Sequence, residues 1–195
     1  MKTAFSQHIK GLDSPVLWNS RSVETAGPVI LFLHGFPEGW FGWRKQIPVF
    51  ATAGFRAIAP DMRGYGDPSA PQGANNYTYL HIVGDLIGLL DALKVEKAFV
   101  VGLDWGAMVS WQLVIFRPDR VIALANLSVY YSPRNPNGSM VTLMRKYSGG
   151  KHYMCKFQGG GKILSNLLEF NKLTKRTCEL VECSSQDVAL ILHRT

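Results

Sequence analysis

The sequence of 195 residues has no apolar run that approaches the roughly 18 residues needed to span a bilayer. Residues 1–15 have no apolar core of secretory length, which predicts the absence of a signal peptide. Cysteine is scarce: Cys155, Cys178 and Cys183 all lie in the last 41 residues and do not have the spacing of a zinc site. These absences predict a cytoplasmic protein with reduced thiols, no membrane span and no metal.

The formal net charge of +7 is concentrated toward one end of the chain. Residues 1–144 contain 12 basic and 10 acidic side chains, whereas residues 145–195 contain 9 basic and 4 acidic side chains. This basic tail has no interleaved aromatic platform and no recognisable recognition helix, so the sequence predicts no nucleic-acid partner. We interpret the tail as a solvated segment, with nonspecific contact to polyanions as the alternative.

Buried strands and amphipathic helices alternate along the first two thirds of the chain. Continuous apolar runs predict strands, and apolar residues that recur every 3.6 positions predict helices. The predicted strands are 28–33, 55–59, 99–101 and 121–127, and the predicted helices are 43–53, 79–93 and 107–116. Two further short strands are predicted at 8–12 and 16–18. This alternation indicates the α/β class with a parallel sheet.

A single charged residue, Asp104, lies between a strand that stops at Gly102 and a helix that follows Gly106. A strand, a sharp turn and a helix form the setting of a nucleophile elbow, in which the central residue has a strained backbone conformation. Glycines two positions before and two positions after that residue leave room for the strand and the helix to approach each other. The sequence therefore predicts Asp104 as a nucleophile.

An aspartate at the elbow limits the types of substrate that the nucleophile could attack. A carboxylate is ionised at neutral pH and needs no base to activate it. Attack on an ester or amide would give a reactive anhydride, whereas attack on a saturated carbon that bears a leaving group gives a stable ester. Strained epoxides and alkyl halides are therefore the natural electrophiles. Hydrolysis of the ester then requires water, a general base and an oxyanion hole.

The segment from His34 to Glu38, His-Gly-Phe-Pro-Glu, directly follows the predicted strand 28–33. In this architecture two backbone N–H groups form the oxyanion hole, one after the His-Gly pair and one after the nucleophile. Those groups belong to Phe36 and Trp105. We interpret His34 as a turn residue rather than a base, because a base must face the ester from the far side of the site.

Five sequence segments between residues 27 and 158 resemble the motifs of one protein family. They are HGFPEGWFGWRKQIP (34–48), APDMRGYGDPSAP (59–71), VVGLDWGA (100–107), FRPDRVIALANLSV (116–129) and HYMCKFQ (152–158). Together these segments resemble plant-type soluble epoxide hydrolases of the α/β-hydrolase superfamily. The resemblance implies an incomplete α/β-hydrolase fold, with a mostly parallel sheet flanked by helices, a partial helical lid and no cofactor.

The resemblance also implies roles for individual residues. Asp104 is the alkylating nucleophile, and the backbone N–H groups of Phe36 and Trp105 line the oxyanion hole. Tyr153, at the start of the lid, is one of two lid tyrosines that hydrogen-bond the epoxide oxygen as the ring opens; a packing role is the alternative. The residues assigned to substrate binding are His34, Pro37 and Trp40.

The chain also departs from the family. Leu103 stands where the family usually has histidine, and the usual N-terminal hairpin is hard to find in residues 13–26. The resemblance stops near Gln158, so the second lid tyrosine, the relay aspartate and the histidine base cannot be placed on 159–195. We therefore predict three segments: the N-terminal part of the core (1–137), the start of the lid (138–160) and a divergent basic tail (161–195). A truncated or frame-altered product is the corresponding hypothesis, and a transcript without such a junction would contradict it.

The predicted lineage function is hydrolysis of small lipophilic epoxides to vicinal diols through an aspartyl alkyl ester, impaired by loss of the His/Asp relay. A haloalkane or haloacid dehalogenase-type hydrolase is one alternative, because it shares the acid nucleophile and the neighbouring Trp105. A leaving oxygen needs a proton donor such as Tyr153, which favours epoxides. A catalytically inactive truncated fragment is the other alternative. The sequence does not specify the oligomeric state.

Overall fold

The computed structural model describes residues 5–6, 20–23, 26–65, 71, 73–133, 135–136, 138–157 and 191–194. The chain divides into two units, and each has its own internal packing. The first unit contains residues 1–130 and 182–195, and the second contains residues 131–181.

A seven-stranded sheet organises the described part of the first unit. Its strands are β1 (Phe5–Ser6), β2 (Ser20–Val23), β3 (Val29–Leu33), β4 (Arg56–Pro60), β5 (Ala98–Leu103), β6 (Val121–Leu127) and β7 (Ile191–Arg194). Their order across the sheet is β1-β2-β4-β3-β5-β6-β7. The central strands β4, β3, β5 and β6 are parallel, whereas β2 and β7 pair antiparallel with β4 and β6. The predicted α/β class with a mostly parallel sheet is confirmed.

Helices follow the parallel strands, as the sequence predicts. They are α1 (Gln46–Thr52), α2 (Tyr79–Ala92) and α3 (Trp105–Phe116), with 3₁₀ turns at Trp40–Trp43, Ala74–Tyr77 and Pro118–Arg120. The predicted helix 43–53 is divided between the first of these turns and α1. The helix after the elbow begins at Trp105, two residues before the start that its apolar pattern indicates.

The core lies on both faces of the sheet. All five residues of β3 are buried, which explains why this strand is a continuous apolar run rather than an alternating one. On one face, β3, β4, β5 and β6 pack against α2 and α3 in a cluster that includes Leu31, Val100 and Leu113. On the other face, Phe32 packs against Trp43 of the first 3₁₀ turn.

Helix α2 is amphipathic, and its first turn is capped. Thr78 precedes the helix in an extended conformation, and its hydroxyl oxygen accepts the backbone N–H of His81 at 3.4 Å. The buried residues of the helix include Val83, Leu86, Leu89 and Leu90. Leu80 fits the 3.6-residue apolar period of the predicted helix 79–93 but is 65% exposed, so the later turns form the buried face.

The structure describes two N-terminal strands, β1 and β2, at positions where the sequence predicts none. Predicted strands 8–12 and 16–18 lie outside the described residues. In the structure β2 lies within 13–26, where the sequence shows no clear hairpin, and it pairs antiparallel with both β1 and β4. The parallel core is therefore bordered by an antiparallel pair on this side.

The second unit contains two short helices in its described residues. These are α4 (Met140–Ser148) and α5 (Tyr153–Phe157). Ser139 caps α4 by accepting the backbone N–H of Thr142 at 3.2 Å, and Gly149 ends it in the left-handed conformation with φ +58°. The division at 137 and 160 stays a prediction, and most of the predicted basic tail lies outside the described residues. In the part of the chain that the structure describes, every helix is too short or too polar to cross a membrane.

A buried ion pair joins the loop after β4 to α2. Two guanidinium nitrogens of Arg63, Nε and Nη2, donate to the two carboxylate oxygens of Asp85, each at 2.6 Å. The exposed fractions of the two side chains are only 8% and 4%. Removal of one partner would leave the other charge buried without its counter-ion, which is far more costly than loss of an exposed pair.

We therefore expect Asp85→Ala to lower the free energy of unfolding by about 3–5 kcal/mol in urea titrations monitored by tryptophan fluorescence. Asp119→Ala is a matched control, because Asp119 makes the same two-point pair with Arg117 at the surface. Surface pairs contribute little to stability, so this control should leave the midpoint almost unchanged. Equal effects of the two substitutions would contradict the prediction.

Candidate active site

Asp104 lies at the corner between β5 and α3. The strand ends at Leu103 and the helix begins at Trp105. The backbone dihedrals of Asp104 are φ +53° and ψ −117°, a conformation that L-residues rarely adopt. Its carbonyl oxygen accepts the N–H groups of Ala107 and Met108 at 3.0 and 3.2 Å, which starts the helix. The structure thus places Asp104 at a strained strand-to-helix corner, the elbow, and its role as a nucleophile stays a prediction.

The two glycines are required by the packing around the elbow. A Cβ atom at Gly106 would fall on the carbonyl oxygen of Leu33, at the end of β3. A Cβ atom at Gly102 would lie 2.6 Å from Ser110 Oγ and 2.7 Å from Asn126 Oδ1. Real Cβ atoms do not approach other atoms so closely. The glycine spacing therefore reflects close contact between the strand end and the first turn of α3.

The carboxylate of Asp104 is held by the loop that follows β3, residues 34–38. Phe36 donates its backbone N–H to Asp104 Oδ1 at 2.9 Å. An aspartate before a helix usually accepts an N–H of the first turn, but Asp104 makes no such side-chain contact. Its other oxygen, Oδ2, has no hydrogen bond within the described residues. The site therefore presents one fixed and one available carboxylate oxygen.

Trp105 is the first residue of α3 and is half-buried. Its backbone N–H lies at the positive end of the helix, where negative charge is stabilised. Gly35 completes the contact between the two segments, since a Cβ atom there would lie 2.8 Å from Asp104 Cβ. The structure thus brings Phe36, Asp104 and Trp105 together, and the oxyanion role of the two amides stays a prediction.

His34 is a buried support for the loops of the site. Its side chain has 0% exposure, and its ring lies 4.5 Å from that of Tyr65. Nε2 accepts the backbone N–H of Met62 at 2.9 Å, which assigns the proton to Nδ1 and makes Nδ1 the donor to the Gly35 carbonyl at 2.9 Å. With no exposed surface and both nitrogens bonded, His34 is not placed to contact a substrate. The geometry does not support the predicted substrate-binding role and favours the turn-residue interpretation.

Trp40 and Pro37 are both partly exposed. Trp40 begins the 3₁₀ turn, and its backbone N–H donates to the buried carboxylate of Asp61 at 2.7 Å. Its ring packs edge-on against Phe41, with centroids 5.5 Å apart. Pro37 follows Phe36 through a cis peptide bond. Both residues follow Phe36 closely in the sequence, and their contact with a substrate stays a prediction.

Glu38 is a second acid at the site, and the sequence assigned it no role. Its backbone N–H donates to the Gly35 carbonyl at 3.1 Å, which closes a turn around Phe36. Burial raises the pKa of Glu38, the negative charge of Asp104 raises it further, and Arg44 acts in the opposite direction. The sequence places Glu38 four residues after His34, in the same segment as Phe36. Its electrostatic interaction with Asp104, however, arises only when this loop is folded against the elbow.

A cluster of buried polar side chains connects the first turn of α3 to β6. Ser110 Oγ donates to Asn126 Oδ1 at 2.5 Å, and Asn126 Nδ2 donates to the Ala107 carbonyl at 3.1 Å. Both side chains are almost fully buried, with 0% and 1% exposure. Asn126 pairs with Gly102 in the β5–β6 ladder, so the missing side chain of Gly102 makes room for this cluster. These bonds fix the first turn of α3 to β6.

Tyr153 begins α5 of the second unit. Its ring is half-buried and lies 4.6 Å from the ring of His152, with an interplanar angle of 33°. Its predicted role as a donor to the epoxide oxygen stays a prediction. Among the residues that the structure describes, no group of three histidine, cysteine, aspartate or glutamate side chains is arranged to hold a metal ion.

The sequence of this chain is similar to those of known hydrolases. The sequence profile of the alpha/beta hydrolase fold family matches residues 28–154. The chain is 50% identical to epoxide hydrolase 3 of Siraitia grosvenorii over 156 residues, which cover 80% of this chain and 49% of that protein. Its identity with epoxide hydrolase 1 of the same organism is 55% over 136 residues, which cover 70% and 43%. The chain thus spans less than half the length of these relatives.

Solved structures agree with the sequence matches. A crystal structure of an epoxide hydrolase from Vigna radiata aligns with a TM-score of 0.70 and 47% identity, covering 75% of this chain and 45% of that chain. A laboratory-evolved variant of a potato epoxide hydrolase aligns with a TM-score of 0.69 and 47% identity, covering 75% and 47%. These matches confirm the predicted resemblance to epoxide hydrolases of the α/β-hydrolase superfamily.

The burial of His34 predicts a dependence of stability on pH. Burial lowers its pKa from about 6.5 to about 4, against the opposing effect of its hydrogen bond to Gly35. The unfolded chain takes up this proton near pH 6.5 and the folded chain only near pH 4. Stabilisation is therefore complete above pH 6.5 and is lost as the pH falls toward 4, by about 3 kcal/mol in total.

Urea titrations between pH 7.5 and 4 measure this loss. His34→Gln should flatten that part of the profile, whereas His81→Gln, at the exposed start of α2, should leave it as in the unmodified chain. A His34→Gln profile as steep as that of the unmodified chain would show that other groups carry the dependence.

Proposed function

This chain belongs to the alpha/beta hydrolase fold family, and we propose that it carries the nucleophile and oxyanion hole of an epoxide hydrolase. The proposed reaction is hydrolysis of epoxides to vicinal diols through an alkyl ester on Asp104. The observation that carries this proposal is the hydrogen bond from the backbone N–H of Phe36 to Asp104 Oδ1 at the strand-to-helix corner. The relatives described above are epoxide hydrolases, which supports the choice of electrophile.

In the first step Asp104 Oδ2 attacks a carbon of the epoxide ring. A new C–O bond forms, the ring C–O bond breaks, and its electron pair goes to the ring oxygen. That oxygen needs a proton, for which Tyr153 is the proposed donor. Because Phe36 already holds Oδ1, the carboxylate needs little reorganisation before it attacks.

In the second step a water attacks the carbonyl carbon of the ester and gives a proton to a base. Collapse of the resulting intermediate breaks the bond between Asp104 Cγ and Oδ2, and Oδ2 leaves with the diol. The oxygen that becomes negatively charged is Oδ1, which already lies at the Phe36 amide. The amide of Trp105, at the positive end of α3, is the proposed second donor. One hydrogen bond therefore serves both steps, first by orienting the carboxylate and then by stabilising the tetrahedral intermediate.

This second step also needs a general base to activate the water. His34 is not suited to that role, because both of its ring nitrogens are hydrogen-bonded and burial disfavours its charged form. In the described residues of the first unit the other histidines are His81, at the exposed start of α2, and His193, on the strand β7, and we assign the role of base to neither. We therefore propose that the chain, tested alone, forms the ester but does not hydrolyse it.

Small lipophilic epoxides are the proposed substrates. The proposed lining is aromatic, because Phe36 and Trp40 belong to the segment after β3 and Trp105 directly follows Asp104. Such a lining binds an apolar chain without competing for the epoxide oxygen.

We expect incubation with a small lipophilic epoxide to add one epoxide mass per chain, located at Asp104 by peptide mapping in a mass spectrometer. Asp104→Asn should abolish the adduct, because a neutral amide is a poor nucleophile. Asp119→Asn, at an exposed surface site, should form the adduct at the rate of the unmodified chain.

The same reactions distinguish the alternatives. Steady formation of more than one diol per chain would contradict the proposed arrest at the ester. Chloride release from a haloalkane of similar size, without reaction of the epoxide, would assign a dehalogenase. The absence of any adduct at Asp104 would identify a catalytically inactive chain.

A further inference from the structure

Ser128 lies directly after β6, beside the elbow. Its hydroxyl oxygen accepts the backbone N–H of Asp104 at 3.3 Å, and the Leu127 carbonyl lies 3.4 Å from the same N–H. The ladder between β5 and β6 pairs Leu103 with Leu127, so Asp104 and Ser128 are the next residues on neighbouring parallel strands. The contact between them therefore follows from the register of the sheet.

Both residues have unusual backbone conformations. The φ angles of Asp104 and Ser128 are +53° and +70°, in the region that non-glycine residues rarely occupy. A non-glycine residue persists there only where its surroundings hold it, and such residues cluster at functional sites. Lys94, at the end of α2, is the other described non-glycine residue with a positive φ. Two strained residues thus meet at the edge of the sheet that carries the nucleophile.

The segment after β6 is also anchored to the helix of the elbow. The indole Nε1 of Trp111, in α3, donates to the carbonyl of Val129 at 3.2 Å. Ser128 is thus held between β6 on one side and a contact with α3 on the other. With φ at +70°, its hydroxyl accepts the N–H of Asp104 at the end of β5.

We propose that Ser128 is a positioning residue for the nucleophile: its hydroxyl fixes the backbone N–H of Asp104 and keeps the elbow in the conformation that directs Oδ1 to Phe36. The effect on reaction rate rests on the proposed function, whereas the effect on the Asp104 amide does not. Loss of this contact leaves the longer interaction with the Leu127 carbonyl, so the elbow loosens without unfolding. The exposed position of Ser128 makes its substitution compatible with folding.

The first measurement is hydrogen exchange of the Asp104 amide, followed by NMR on the full chain. Ser128→Ala should accelerate this exchange about three- to tenfold, as expected for the loss of one hydrogen bond. Ser128→Asn should restore protection, because asparagine tolerates a positive φ and carries an acceptor oxygen. Lys94→Gly, which relieves a similar backbone strain away from the site, should leave the exchange unchanged.

The second measurement is the rate of adduct formation with the same lipophilic epoxide. Ser128→Ala and Ser128→Gly should both lower the limiting rate about three- to tenfold, with the half-saturating epoxide concentration unchanged. Ser128→Asn should recover most of that rate, and the unfolding temperatures should agree within a few degrees.

The outcomes separate this proposal from the proposed function. Unchanged amide exchange in Ser128→Ala, or a Ser128→Gly variant that reacts as fast as the unmodified chain, would overturn the positioning role. A Ser128→Asn variant as slow as Ser128→Ala would do the same. Accelerated exchange in Ser128→Ala, together with no adduct in the unmodified chain, would separate the two proposals. It would support the contact between Ser128 and Asp104 and would contradict the proposed reaction with epoxides.

Discussion

Close packing between the first turn of α3 and the end of β3 is the constraint on which the candidate site depends. A Cβ atom at Gly106 would fall on the carbonyl oxygen of Leu33, so the helix can approach the strand only through a glycine. This approach places Asp104 within hydrogen-bond distance of the Phe36 amide, 68 residues earlier in the chain. Two distant segments form one site because their backbones are in contact.

Buried polar side chains then fix the loops at this edge of the sheet. His34 holds the backbone of Met62, Asn126 holds the carbonyl of Ala107, and Asp85 holds Arg63. Apolar burial supplies most of the stability, but it is not directional and does not specify a loop conformation. Burial of a polar group is tolerated only when that group is hydrogen-bonded, so each of these side chains selects one arrangement of its loop.

The sequence predicts the features that arise from local pattern. The strands 28–33 and 121–127 were predictable because burial on both faces gives a continuous apolar run, and Asp104 was predictable from the glycines around it. The start of α3 at Trp105 was missed by two residues, because tertiary packing rather than apolar period sets it. Ser128 was not predictable, since a serine after a strand resembles any turn residue. Only the register between β5 and β6 brings it to Asp104.

The two steps of the proposed reaction make different demands on the fold. Ester formation needs an anion whose orientation is fixed, and the hydrogen bond from the Phe36 amide to the carboxylate of Asp104, directly before α3, satisfies that demand. Ester hydrolysis needs a group that accepts a proton from water, and such a group must be exposed and free to change charge. His34 has the opposite properties, because burial and two hydrogen bonds hold it neutral. The features that make the elbow rigid thus exclude its neighbouring histidine from the second step, and a base has to approach from another part of the fold.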